Sequence, residues 1–218
     1  MFRIAIDGPA GSGKSTIASR LADRLNIDYV DSGSIYRAIT RAIIDNRINY
    51  KNIAELTSFI QNLNIEFDSS SISVNGVDFS AKIRVASVNS LVSEVAAISV
   101  VRKKVNNILG LIAEKQNVIM DGRDIGTVII PDAELKIFLN ASVEERARRR
   151  FFELNNGEDL SYEDVLANII HRDNIDSSRE DSPLTKAADA IEIDTTKLTI
   201  DDIIRQIMER ISSKNYAL

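Results

Sequence analysis

The chain has 218 residues, 44% hydrophobic and 27% charged, with a net charge of -5; this is globular composition with enough apolar material for a core, and it excludes disorder as the main state. With 0 Cys and a single histidine, His171, disulfide scaffolds, thiolate or histidine-cluster metal sites and thiol nucleophiles are excluded, and Ser-His-Asp hydrolysis is disfavoured. No apolar run approaches the roughly 20 residues of a membrane span, the opening MFRIAIDG does not read as a secretion signal, and the acidic balance opposes general nucleic-acid binding; the expectation is a cytoplasmic protein with no nucleic-acid or membrane partner.

In chain order, residues 3–7 (RIAID) form the first short apolar run, followed by 28–31 (DYVD), 118–121 (VIMD), 135–139 (LKIFL) and 190–194 (AIEID). These are the lengths and compositions of strands buried in a sheet. Helical patterns lie between them. Ile17, Leu21 and Leu25 make an i, i+4, i+8 stripe, and Val101, Val105, Ile108, Leu109 and Ile112 make a longer one. Ser142 with Glu145 reads as a capping box that opens a helix through the basic run Arg146, Arg148, Arg149 and Arg150. Thr199 with Asp202 opens a last helix with Ile203, Ile207 and Ile211 on one face. Strands alternating with helices predict a parallel sheet covered on both faces. Residues 64–80 break the alternation with three short alternating runs, and Asn75-Gly76 between the last two is a strong hairpin signal. A small antiparallel insert there accounts for a length above that of one average domain.

Residues 8–15 (GPAGSGKS) match G-x-x-x-x-G-K-[ST] at every fixed position. The motif follows a predicted strand and opens a predicted helix, the context in which backbone N–H groups and the helix N-terminus cradle phosphate. The expected ATP-binding set is Gly8, Pro9, Ala10, Gly11, Ser12, Gly13, Lys14, Ser15 and Thr16. Lys14 reaches the β- and γ-phosphates, and the Ser15 hydroxyl, with Asp121 at the end of the third apolar run, is placed to hold Mg²⁺. Asp7 reads as structural. No Asn-Lys-x-Asp guanine-reading motif occurs in the chain.

A phosphate-binding loop does not by itself name the acceptor. The abundance of arginine favours an anionic one, because bringing a second phosphate up to ATP needs guanidinium groups to neutralise both. A monophosphate is already ionised near neutral pH and needs no general base. A hydroxyl acceptor would need a carboxylate base, for which Asp31 is a candidate. The residues alone therefore leave open a kinase for another monophosphate or small metabolite. They also leave open a nucleotide-switched interaction protein.

Residues 6–15 (IDGPAGSGKS), 31–37 (DSGSIYR) and 121–127 (DGRDIGT) closely resemble the bacterial cytidylate kinase family. So do residues 92–97 (VSEVAA) with Arg102, residues 131–139 (PDAELKIFL), residues 144–147 (EERA) and the segment 172–184. The resemblance runs in order along essentially the whole chain. It implies an α/β P-loop nucleoside monophosphate kinase: a five-stranded parallel sheet, an inserted antiparallel β/helical monophosphate-binding region, and a helical lid. In these terms residues 1–218 form one kinase domain, with a core of 1–31, 102–147 and 184–218, an insert of 32–101 and a lid of 148–183.

The activity implied is transfer of the γ-phosphoryl group of ATP to CMP or dCMP, with Mg²⁺, by a monomer. Carried over by motif, Ser32, Tyr36 and Arg37 line the acceptor pocket, and Ser93, Arg102 and Asp124 read the cytosine. Arg123 holds the acceptor phosphate, Arg172 and Asp176 contact the sugar, and Arg179 lies near the phosphate. Lys14, Arg123, Arg179 and Arg149 are the groups expected to act on the transferring phosphoryl. Blander roles exist for several: Arg123 and Asp124 paired with each other, Arg172 and Asp176 as a solvated helical pair, Ser93 as packing. Ile175 and Ser177-Ser178 interrupt the Arg/Asp pattern of the lid, and His171 reads as an exposed residue there.

Overall fold

The computed structural model describes residues 1–67, 71–154 and 161–213. Parts of the predicted insert (68–70), the lid (155–160) and the C-terminal core segment (214–218) therefore lie outside the described residues. The chain forms two compact units, one of Met1–Tyr29 with Gln116–Leu218 and one of Val30–Lys115.

A five-stranded parallel sheet runs in the order β2-β6-β1-β7-β8. Its strands are β1 (Arg3–Asp7), β2 (Asp28–Asp31), β6 (Val118–Gly122), β7 (Leu135–Asn140) and β8 (Ile191–Asp194). All five predicted strands are present. Ile4, Ala5 and Ile6 of the central strand are fully buried, as a parallel strand with both faces covered must be. Helix α1 (Lys14–Leu25) buries Ile17 and Leu21 against this sheet, with Leu25 at the edge of the same core. Asn26 ends the helix in the left-handed region at φ 52°, and its N–H returns to the Ala22 carbonyl.

The helices α6 (Val143–Leu154), α7 (Tyr162–Ser178) and α8 (Ile200–Ser213) complete the first unit. Ser142 caps α6 by accepting from the Glu145 N–H at 3.3 Å, but the Glu145 carboxylate does not close the box; it pairs with Arg148 and Arg149. The Thr199–Asp202 box at α8 is closed both ways, and Ile203, Ile207 and Ile211 are buried.

The second unit contains α2 (Ser32–Asp45), α3 (Ile53–Gln61), α4 (Ala86–Ala96) and α5 (Ser99–Ala113). Beside them lies the antiparallel sheet β3 (Ile65–Phe67), β4 (Ile72–Val74) and β5 (Val77–Asp78). The predicted hairpin is present. Asn75 and Gly76 have φ of 51° and 77°, the paired left-handed residues of a type I′ turn, which matches the twist of the strands it joins. Val101, Val105 and Leu109 of the α5 stripe are buried.

Two features are not visible in the pattern of the sequence. A π-helix, Ile125–Ile129, follows β6, where the chain must turn immediately after a buried strand. The third run extends one residue further than expected, to Gly122, which pairs with Asp7.

Candidate active site

Topology places the phosphate loop. β1 lies between β6 and β7, with Ile6 level with Asp121 and Asp7 level with Phe138. The loop after β1 and Asp121, the next-to-last residue of β6, therefore lie at adjacent carboxyl ends of the sheet, where ligands of open α/β folds bind. Gly8, Gly11 and Gly13 have φ of 152°, 75° and 90°, values that only glycine adopts readily. A Cβ at Gly8 would collide with the Leu139 carbonyl, so the loop lies directly against β7.

Within the loop, Lys14 Nζ donates to the Pro9 carbonyl at 2.7 Å and to Ser12 Oγ at 3.3 Å. Burial holds its pKa well below the ordinary lysine value, with the Arg123 charge acting in the same direction against Asp121, Asp176 and Asp7. A buried cation beside a second cation favours an added anion. The Ser15 hydroxyl donates to Asp121 Oδ2 at 2.9 Å, and the Tyr29 hydroxyl donates to Asp121 Oδ1 at 2.9 Å. Ser15 and Asp121 are hard oxygen donors of the kind that Mg²⁺ takes together with phosphate and water. Among the described residues there is no cluster of three His, Cys, Asp or Glu side chains, and such a site needs none.

The four clustered arginines divide two and two. Arg146 is buried; its Nη1 donates to the Ala10 carbonyl of the loop at 3.0 Å and to Asp173 at 2.6 Å. Arg149 binds Thr195 Oγ1 at 3.0 Å, and Thr195 Oγ1 is 3.3 Å from the Ser12 carbonyl. Arg148 and Arg150 pair with Glu145 and Glu153 along the surface of α6. A helix turns one face inward, and spacing alone does not identify which.

After β6, Arg123 Nε donates to Asp176 Oδ2 at 2.7 Å. Arg179 lies 3.6 Å from Asp176 and 3.5 Å from Asp124. The result is a chain of alternating charge, Arg123–Asp176–Arg179–Asp124, in which Arg123 is half-buried and the other three are buried. Burial pushes the Asp176 carboxyl up, but the charges of Arg123, Arg179 and Arg172 outweigh it and hold the group below its ordinary value. Asp176 is thus not a solvated partner of Arg172, and Arg123 pairs with Asp176 rather than with Asp124. His171 is exposed, as expected.

Thr16 lies on α1 and Arg172 on α7 of the first unit, and the second unit holds the remaining predicted residues. Ser32 opens α2 and is buried; Tyr36 and Arg37 follow on that helix. Ser93 is buried on α4, and Arg102, 1% exposed on α5, lies over the Tyr36 ring at 5.7 Å and donates to the Ala96 carbonyl at 3.1 Å. Asp31 caps α2 through the Ser34 N–H and accepts from Arg84 at 2.8 Å. Burial raises its pKa, but the Arg37 charge, the bonds from Ser34 and the Arg84 charge hold it below the ordinary carboxylate value. The Asp31 carboxylate is thus tied to the start of α2 and to Arg84. Arg84, Tyr29 and Thr195 were not singled out from the sequence; each acts through a partner distant in the chain, which local motifs do not reveal.

The family model for cytidylate kinase matches residues 4–213. The chain belongs to the cytidylate kinase family. It is 48% identical over 209 residues to the cytidylate kinase of Fusobacterium nucleatum, covering 95% of this chain and 96% of that one. It is 44% identical over 222 residues to the cytidylate kinase of Carboxydothermus hydrogenoformans, covering 100% of both. Among solved structures, its fold is similar to that of TT1252 from Thermus thermophilus, with TM-score 0.53, 18% identity and coverage of 99% and 98%. Shikimate kinase from Bacteroides thetaiotaomicron gives TM-score 0.50, 15% identity and coverage of 97% and 98%. The family is an enzyme family, and the fold is that of P-loop kinases.

Proposed function

We propose that the protein transfers the γ-phosphoryl group of ATP to CMP or dCMP, forming ADP and CDP or dCDP, with Mg²⁺ and without a general base. The observation that carries this reading, in a chain of this family, is the alternating sequence of charges Arg123–Asp176–Arg179–Asp124, buried from Asp176 to Asp124, in the same unit as the Lys14 loop. It supplies fixed guanidinium groups for an anionic acceptor beside a carboxylate suited to an exocyclic amino group.

In this reading the Gly8–Thr16 loop binds the ATP phosphates. A phosphate oxygen of the monophosphate attacks the γ-phosphorus, the bond to the β,γ-bridging oxygen breaks, and that oxygen leaves with ADP. The nucleophile arrives ionised, so no proton has to be removed. Lys14, Arg123, Arg179 and Arg149 position the phosphates and stabilise the charge spread over the transferring group. Ser15 and Asp121 would hold Mg²⁺, which when bound neutralises phosphate charge.

Asp124 accepts from the cytosine amino group, with Ser93 and Arg102 donating to its ring acceptors. Uracil would present a carbonyl oxygen to the same carboxylate and leave buried groups unpaired. Ser32, Tyr36 and Arg37 serve the acceptor pocket, and Arg172 and Asp176 the sugar. The segment 148–183 acts as a lid that excludes water during transfer, and the protein works as a monomer. Hydrogen exchange tests the lid: equal protection with and without a bisubstrate analogue refutes it.

A coupled ADP-release assay with each monophosphate tests the reaction. Release should depend on CMP or dCMP and greatly exceed that with UMP or AMP. Preference for another acceptor would reassign the substrate. Release indifferent to every monophosphate would instead favour a nucleotide-switched interaction protein.

A further inference from the structure

The carboxylate of Asp7 caps a helix to which it does not belong. Asp7 ends β1, buried between Gly122 of β6 and Phe138 of β7. Its Oδ1 accepts from the Ile125 N–H at 2.8 Å and its Oδ2 from the Gly126 N–H at 2.8 Å. These are the first two amides of the π-helix, which have no partner within the helix. The approach is close: a Cβ on Gly126 would lie 3.3 Å from Asp7 Oδ2 and 3.2 Å from Lys136 Cδ.

The residue at the N-cap is Asp124, a type that ordinarily supplies such a bond from its own side chain. It makes no side-chain cap bond, and its carboxylate lies 3.5 Å from Arg179 instead. Two acids thus stand at one helix start. The one from the distant strand does the capping, and the local one is directed elsewhere.

We propose that Asp7 is a positioning residue: by capping the π-helix from β1 it keeps the Asp124 carboxylate off its own helix start and beside Arg179, so that acceptor selectivity depends on Asp7 far more than ATP binding does. The physical reason is competition. Buried amides left without an acceptor are costly, and a short acidic side chain at the N-cap is the group best placed to serve them. Removing an acceptor oxygen from Asp7 therefore draws Asp124 back onto the helix.

This inference rests on the reading of Asp124 as the base-reading group. The test is a double-mutant cycle in the full chain with Asp7→Asn, Asp124→Ala and the double variant, measuring kcat and KM for CMP, UMP and ATP. Asp7→Asn should lower kcat/KM for CMP by about 10- to 100-fold and narrow the CMP/UMP preference. The KM for ATP should change much less than kcat/KM for CMP, because Asp7 acts on Lys14 only through its charge and the Lys14 hydrogen bonds to Pro9 and Ser12 do not involve it. On the Asp124→Ala background, Asp7→Asn should change the preference no further. Collapse of the preference in Asp124→Ala with full retention in Asp7→Asn, or independent multiplying effects, overturns the inference alone. Unchanged preference in Asp124→Ala overturns the base-reading role and this inference with it. If Asp7→Asn folds poorly, Gly126→Ala presses on the same contact from the other side. It should narrow the preference with the KM for ATP retained, and unaltered selectivity there refutes the proposal.

Discussion

The Ser15 hydroxyl donates to Asp121 Oδ2 across 2.9 Å, joining two residues 106 positions apart in the chain. Because Tyr29 holds the other carboxylate oxygen, Asp121 is fixed at the mouth of the phosphate loop. Asp121→Asn keeps the shape and removes the charge. Turnover should fall by about 100-fold or more, and the Mg²⁺ concentration for half-maximal rate should rise. Titration of activity against Mg²⁺ checks this; an unchanged Mg²⁺ requirement would remove Asp121 from the metal site.

Arg123 and Asp176 test the acceptor side. Arg123→Ala removes the guanidinium and leaves a buried carboxylate without its nearest cation. Acceptor turnover should drop by about 100- to 1,000-fold, while ATP affinity, measured by calorimetry with a non-hydrolysable analogue, changes little. Normal turnover refutes the assignment.

Gly8→Ala should be among the most disruptive single changes. It places a methyl group against the Leu139 carbonyl at a backbone φ of 152°. We expect a loss of more than about 2 kcal/mol, read as a lowered urea midpoint. A midpoint equal to the parent's would show that the loop is not seated on β7 as described.

Asp7 gives a pH signature. Burial pushes its carboxyl up to about 6, against the bonds from Gly126 and Ile125. An unfolded aspartate loses its proton near pH 4, so between about 4 and 6 the folded state binds more protons. That contribution to stability is fully present below about pH 4 and is lost as pH rises through about 6. Lowering the pH from 7 to 4.5 should therefore favour the parent over Asp7→Asn by about 2 kcal/mol. Urea unfolding of both proteins at each pH reads the difference. Parallel stability curves would show that Asp7 does not titrate in this way.

Much of this protein follows from local chemistry. The β-branched apolar runs, the Gly8–Ser15 loop, the Asn75-Gly76 turn and the Thr199–Asp202 cap each depend on neighbours within a few residues, so the sequence by itself determined them. It also determined the family, because the motifs occur in order along the chain. Tertiary structure alone decided which of Arg146, Arg148, Arg149 and Arg150 face inward, that Arg123 takes Asp176 rather than Asp124, and that Asp31 is engaged by Arg84. It alone decided that Asp7 caps the helix that begins after Asp124. In each case the partner lies far off in the chain. Buried charges and amides take their partners from what the packing of strands and helices brings within about 3 Å, and spacing along the chain carries no record of that.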